Sequence, residues 1–259
     1  LAGKIETSSN NIPISWTIIL VLCSIIYLFL FFYHSLVLPH PKDVCEINKT
    51  KRENVTFLKA FKSYFEKNGV WIILFFILFY RLGEAFLVKM ISPFMLENPE
   101  KGGLGLETSQ VGLIYGTVGI ISMIVGGILG GVIISKFGLK KCLWPMALSL
   151  NIPDLFYVYI ASFKPSVSII YPLVAIEQFG YGFGLSAFTV VLLYFSRGKY
   201  QTSHYAISTG FMAVGMMFPG MASGFLQELL GYLNFFVFVC FVTIPGMIIL
   251  FYLPKLDEK

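Results

Sequence analysis

Charge is what this chain has least of. Only 13% of its 259 residues are Asp, Glu, Lys or Arg, against 56% that are hydrophobic, and a soluble domain of that length needs far more polar surface to cover itself. That shortage excludes a soluble globule. Cysteine is equally sparse: Cys23, Cys45, Cys142 and Cys240 lie far apart, with no zinc-finger or redox spacing. They read as small buried hydrophobes, and no metal site is expected. Catalytic signatures are missing too. No His-Glu-x-x-His, Gly-x-Ser-x-Gly or paired catalytic Asp motif occurs in any apolar run, so the chain does not read as an enzyme and no cofactor is expected. An initiator Met is also lacking: the chain opens at Leu1, and the apolar run from Ile14 is too long for a signal-peptide core. It reads as a sequence that starts within a larger protein.

What the sequence does have is long apolar runs. A helix needs about 20 mostly apolar residues to cross the hydrocarbon core. Seven runs meet that length: Ile14–Leu38, Val70–Phe94, Ser109–Ser135, Lys141–Phe163, Ser168–Phe195, Ser203–Leu229 and Asn234–Leu253. They are continuous, whereas barrel strands alternate over about 10 residues, so the expected fold is an all-α integral membrane protein with seven transmembrane helices. Only one connection is long. Between Pro39 and Asn68 lie seven Lys/Arg and four acids, with Pro39 and Pro41 ending the preceding helix. Inside it Phe57, Leu58, Phe61, Tyr64 and Phe65 recur at helical spacing among Lys59, Lys62 and Lys67, the pattern of a helix lying in the membrane interface.

The net charge of +5 reads as topology rather than as a nucleic-acid patch, and nucleic acid is not an expected partner. The linker, the Lys136/Lys140/Lys141 loop, the Arg197/Lys199 loop and the tail with Lys255 and Lys259 hold 14 of the 19 Lys/Arg residues. If every run spans once, these segments fall on one side and leave Lys4, Lys101 and Lys164 on the other, which makes the linker and C-terminus cytoplasmic. The Asn-x-Thr sequons at Asn48 and Asn54 then lie on the cytoplasmic side and carry no weight.

Ionisable residues inside a span are costly, about 2.5–3.5 kcal/mol or more at the helix centre, so they face a cavity or a partner. Arg81 and Glu84 lie near the middle of the second run, three apart on one helix face; they read either as a structural ion pair or as an anion site with a proton carrier. Burial disfavours the charged form of a carboxylate, which is the physical basis for such a carrier. Asp154 reads as satisfying a helix irregularity at Asn151 and Pro153, or as functional; Glu177 sits about two turns into its span, followed by Gly180, Gly182 and Gly184. Gln178 and Tyr181 could hydrogen-bond a sugar or peptide. Pro172, Pro219 and Pro245 interrupt spans, and broken helices expose backbone to a cavity. Lys89 is placed to snorkel, and His204, at a helix start, reads as exposed and uninvolved. In the third run Gly112/Gly116 and Gly126/Gly130 are each four apart, the spacing of close helix packing or of a face that slides.

Gly131, Ser135, Lys136, Gly138, Lys140 and Lys141 resemble the loop signature of the major facilitator superfamily, with Ser135 where the signature has an acid. That signature follows the second span of each half, which implies that the last six spans form the C-terminal bundle of such a transporter. The domains then read as residues 1–38, the last span of the N-terminal half with its outer loop; residues 39–68, a basic cytoplasmic linker; and residues 69–259, the six-helix bundle. Arg81, Gly83 and Glu84, then Gly103 and Gly105, Gln110 and Gly112, the stretch Ala175 through Gly182, and His204 through Ile207 are similar to the AmpG-type muropeptide permeases, a family distantly related to the acetyl-CoA transporter. Ile5, Glu6, Ile12, Pro13, Ser15 and Trp16 match Bacteroidetes-like members. The resemblance implies import of anhydro-muropeptides with protons across the bacterial inner membrane, or of another anionic solute such as acetyl-CoA or a sugar phosphate. The partners it implies are a small-molecule substrate, protons, the lipid bilayer and an N-terminal half.

Overall fold

The computed structural model describes residues 11–38 and 57–253, with Gly3, Ile5 and Glu6. Pro39, Pro41, Cys45, both sequons, the remaining linker residues to 56, Lys4 and the tail with Lys255 and Lys259 lie outside the described residues. The elements in chain order are α1 (Ile12–Val37), α2 (Phe57–Phe65), α3 (Val70–Phe79), α4 (Leu82–Leu96), α5 (Thr108–Leu113), a π-helical turn (Ile114–Gly119), α6 (Ile120–Phe137), α7 (Leu139–Asn151), a 3-10 turn (Ile152–Asp154), α8 (Leu155–Phe163), α9 (Val167–Ser196) and α10 (Gln201–Ile249). No strand occurs among the described residues. The protein is an all-α integral membrane bundle: among the described residues, six stretches are long and apolar enough to cross a bilayer.

The expectation of seven crossings is met by the shape of the sixth stretch. Gly231 has φ 74° and ψ 164° inside α10, so the chain reverses there on a single residue, within the four-residue gap between the last two apolar runs. Packing along α3 and α4 shows the reversal. Gly215 lies against Leu78 and Gly220 against Lys89, whereas Gly246 lies against Phe79, Thr243 against Gly83 and Phe238 against Phe86. Phe94 closes the series with ring centroids 5.1 Å from Tyr232 and 4.9 Å from Phe236. Contacts climb one limb and descend the other, so the two limbs are antiparallel.

Polar side chains in the spans turn inward on their own helices because hydrocarbon offers no other partner. Ser24 Oγ donates to the Leu20 carbonyl at 2.8 Å, Ser162 to Val158 at 2.7 Å and Thr189 to Leu185 at 2.9 Å. α1 starts under Asn11, whose side chain accepts from the Ile14 amide at 3.2 Å, and is exposed along nearly all its length, with Ser15 its one buried residue. By contrast, α3 and α4 together are the most deeply buried of the membrane-spanning stretches.

Glycine decides how closely the remaining helices approach. Gly126 faces the Phe179 carbonyl, Gly182 faces that of Met123, and Gly180 faces that of Ser149, each too close for a Cβ. α9 is therefore clamped between α6 and α7, with Ser186 Oγ donating across to the Gly127 carbonyl at 2.9 Å. A Cβ on Gly112, Gly116 or Gly131 would meet no neighbour within 4 Å among the described residues. Of the two four-residue glycine pairs, only Gly126/Gly130 is a packing face in this bundle.

Gly231 also has open space around it, so any cost of a side chain there comes from the backbone alone, about 1–3 kcal/mol in a region essentially reserved for glycine. Gly231→Ala in the intact protein lowers the thermal midpoint of the detergent-purified protein accordingly. An unchanged midpoint contradicts the single-residue reversal.

Candidate functional site

Three membrane-spanning stretches lose regular α-helical geometry. The first breaks at Tyr80–Arg81, between α3 and α4; the second carries the π-helical turn Ile114–Gly119; the third has the 3-10 turn Ile152–Asp154, where Pro153 has no N–H to give. Contacts between them show that all three meet α9 in one place. Arg81 donates to the Tyr181 hydroxyl, a Cβ on Gly119 would lie 3.2 Å from Gln178 Cγ, one on Gly180 would lie 3.5 Å from Pro153 Cγ, and one on Gly83 would lie 3.4 Å from Asp154 Oδ2. Irregular backbone at membrane depth is tolerated only where protein buries it or a cavity takes it up, and π-turns are frequent at functional sites.

The six residues singled out from the sequence converge here. Arg81 is 8% exposed, framed by the Tyr181 ring at 5.2 Å and the Phe188 ring at 5.8 Å. Among the described residues its Nε has no hydrogen-bond partner and no carboxylate stands within 4.0 Å of it; both ion pairs found there lie elsewhere. The structural Arg81–Glu84 pair is therefore not formed, although Glu84 lies within electrostatic reach of the guanidinium. Glu177 is the satisfied carboxylate: Tyr157 Oη donates at 3.0 Å and Gln178 Nε2 at 3.1 Å. Glu84 and Asp154 are buried and accept no hydrogen bond among the described residues. Asp154 does not cap α8, and Asn151 instead donates back to the Ala147 carbonyl at 2.7 Å, so helix repair is not what Asp154 does.

Three tyrosines that the sequence does not mark as site residues join these six. Tyr157 holds Glu177; Tyr80 donates to the Gly184 carbonyl at 3.2 Å; Tyr115, on the π-turn, lies beside Gln178 and within electrostatic reach of Glu84 and Glu177. Nothing in their spacing separates them from the other tyrosines of the apolar runs.

The basic loop between α6 and α7 is arranged differently. Gly138 turns the chain at φ 83°, and its amide donates to the Ile134 carbonyl at 2.8 Å. Ser135 returns its hydroxyl to the Val132 carbonyl at 2.8 Å. Lys136, Lys140 and Lys141 are exposed and form no ion pair among the described residues. Without an acid at 135, the loop has no carboxylate of its own to offer them.

His204 corrects the sequence expectation: it is 3% exposed, not solvated. Its Nε2 lies 2.8 Å from Ser63 Oγ on α2, and its buried Nδ1 has no partner among the described residues. The signal was available only as the i, i+3, i+4 face of α2 that covers it.

No family model matches the chain. An anhydromuropeptide permease of Escherichia coli (strain K12) is 26% identical over 216 residues, covering 83% of this chain and 43% of that protein. A putative transporter AmpG 4 of Rickettsia felis is 24% identical over 252 residues, covering 96% of this chain and 58% of that protein, and a putative transporter AmpG 2 of Rickettsia prowazekii is 27% identical over 199 residues, 77% of this chain and 47% of that protein. The chain is similar to proteins named as permeases and transporters. It spans about half the length of the curated relatives it matches.

Hydrogen bonding separates the carboxylates experimentally. Tyr157→Phe removes a donor from Glu177 and lowers stability by about 1 kcal/mol, the usual size of such a bond between membrane helices. Glu84→Gln and Asp154→Asn remove no hydrogen bond made among the described residues, so neither lowers the thermal midpoint. A loss in Glu84→Gln equal to that in Tyr157→Phe removes the distinction.

Proposed function

We propose that this chain is the C-terminal portion of a secondary active transporter of the major facilitator type, which imports anhydro-muropeptides with protons across the bacterial inner membrane. The observation that carries this reading is Arg81: a buried guanidinium at a helix break, with no partner for Nε and no carboxylate at ion-pair distance among the described residues. A permanent cation left unpaired in low dielectric is an electrostatic trap for an anion, and a planar fork of donors suits a carboxylate. Gln178 and Tyr181 flank it with polar groups able to meet amides and sugar hydroxyls. Glu84 and Asp154, free of hydrogen bonds, are the groups able to change protonation without breaking a contact, and Glu177 is the fixed neighbour. The names of the relatives supply the substrate class.

In this reading residues 1–38 end the N-terminal half, residues 39–68 form the cytoplasmic linker and residues 69–259 form the C-terminal bundle. The substrate passes between two halves, so the chain acts with the N-terminal half. The cations of the Lys136–Lys141 and Arg197–Lys199 loops support a cytoplasmic position for that end of the bundle.

Uptake of labelled anhydro-muropeptide by cells expressing the whole protein tests this. Arg81→Ala costs about thirtyfold or more in uptake, the consequence of removing one partner from a buried charge pair worth at least 2 kcal/mol, while membrane insertion is retained. A protonophore abolishes accumulation. Normal uptake by Arg81→Ala overturns the site; indifference to the protonophore overturns the coupling; uptake of acetyl-CoA or a sugar phosphate instead overturns the substrate.

A further inference from the structure

Helix α2 plays no part in that transport reading, yet its contacts are specific. Residues on it and just after it divide into three stripes at helical spacing. Ala60, Ser63, Tyr64 and Lys67 form the first, and this stripe faces the bundle. Tyr64 is fully buried against Phe195, His204 and Phe211, and its hydroxyl lies 3.0 Å from Ser208 Oγ. Lys67 donates to the carbonyls of Phe195 and, at 2.9 Å, Arg197, so a cation caps the C-terminal end of α9, where the helix dipole favours it. Burial pulls the Lys67 ammonium below the ordinary lysine pKa; the two carbonyls and the Phe195 ring at 4.9 Å hold the charge there.

The second stripe is apolar: Leu58 is 70% and Phe61 39% exposed, and Phe65, half-buried, packs back toward Phe211 with ring centroids 6.2 Å apart. The Phe61 and Phe65 ring centroids are 5.0 Å apart, and Phe65 continues to Trp71, 65% exposed on the first turn of α3. The third stripe, set between the other two, is Lys59, Lys62 and Glu66. Lys59 and Lys62 are exposed; Glu66 stands 3.8 Å from Lys62 with both partners in solvent, an arrangement worth little. Only four residues separate α2 from the first turn of a membrane span, so the helix is held at the level of the bilayer surface, with aromatic groups at the position interfacial anchors take.

We propose that α2 is a binding surface for the anionic phospholipids of the leaflet it rests on, with Leu58 and Phe61 inserted below the headgroups and Lys59 and Lys62 on their phosphates. Charge complementarity selects the occupant: the exposed groups beside the apolar stripe carry two cations against one acid. The docked stripe makes the site rigid, because the bundle fixes the rotation of α2 about its axis and so fixes which stripe meets lipid.

The experiment is native mass spectrometry of the intact, detergent-purified protein titrated with phosphatidylglycerol or phosphatidylcholine. Wild type retains phosphatidylglycerol in preference. Lys59→Gln/Lys62→Gln weakens that retention by about five-fold for each lysine removed, Lys59→Arg/Lys62→Arg keeps it, and Lys101→Gln at the opposite end of the bundle leaves it unchanged. The proposal fails if wild type shows no preference, if the double Gln variant retains the lipid fully, which is also the result when another part of the protein covers α2, or if Lys101→Gln weakens retention equally. All four proteins are read for lipid and not for transport, so the outcome is independent of the transported substrate.

Discussion

The fold rests on one constraint: hydrocarbon supplies no hydrogen-bond partner, so each backbone amide and hydroxyl in a span must find one within the protein. Long uninterrupted helices satisfy the backbone, and serine and threonine hydroxyls bending onto the carbonyl three or four residues earlier satisfy the side chains. The same constraint makes every interruption informative. A helix that stops hydrogen-bonding regularly at membrane depth does so at a cost, and here three do so around one point of α9.

α9 can serve as that meeting point because of its glycines. Gly180 lets α7 approach on one side and Gly182 lets α6 approach on the other, so Glu177, Gln178 and Tyr181 sit on a helix gripped from both flanks. The site residues are thus held by backbone-to-backbone contact rather than by long side chains, and a rigid frame of that kind keeps an unpaired guanidinium from relaxing toward the nearest carboxylate. Tyr157 and Gln178 complete the frame by fixing Glu177.

Spans were legible because hydropathy over about 20 residues is a strong signal, and buried Arg81, Glu84, Asp154 and Glu177 were legible because a charge in an apolar run stands out. What the sequence could not carry was anything that depends on which neighbour a residue meets. Gly112/Gly116 and Gly126/Gly130 have the same spacing, yet only the second pair faces another helix. Tyr157 looks like any aromatic in an apolar run until α9 places Glu177 beside it. The π-turn at Ile114–Gly119 has no proline to announce it. His204 was misjudged because its cover, α2, lies some 140 residues earlier in the chain, and the Gly231 reversal looked like a loop because an essentially glycine-only conformation has no signature beyond the glycine itself.

α9 also joins the two ends of the structure. It is a continuous helix from Val167 to Ser196, with Tyr181 at its middle against Arg81 and the carbonyls of its last turn and the following residue against Lys67. A hydrogen-bonded helix of this length moves as a body, so a displacement that separates Tyr181 from Arg81 also shifts the acceptors of Lys67, and through Tyr64 and Ser208 the start of α10. The clasp of α2 therefore opposes motion of the same helix that carries the fixed half of the site. Whatever holds α2 in place at the membrane surface bears on the geometry around Arg81, although no side chain connects the two directly.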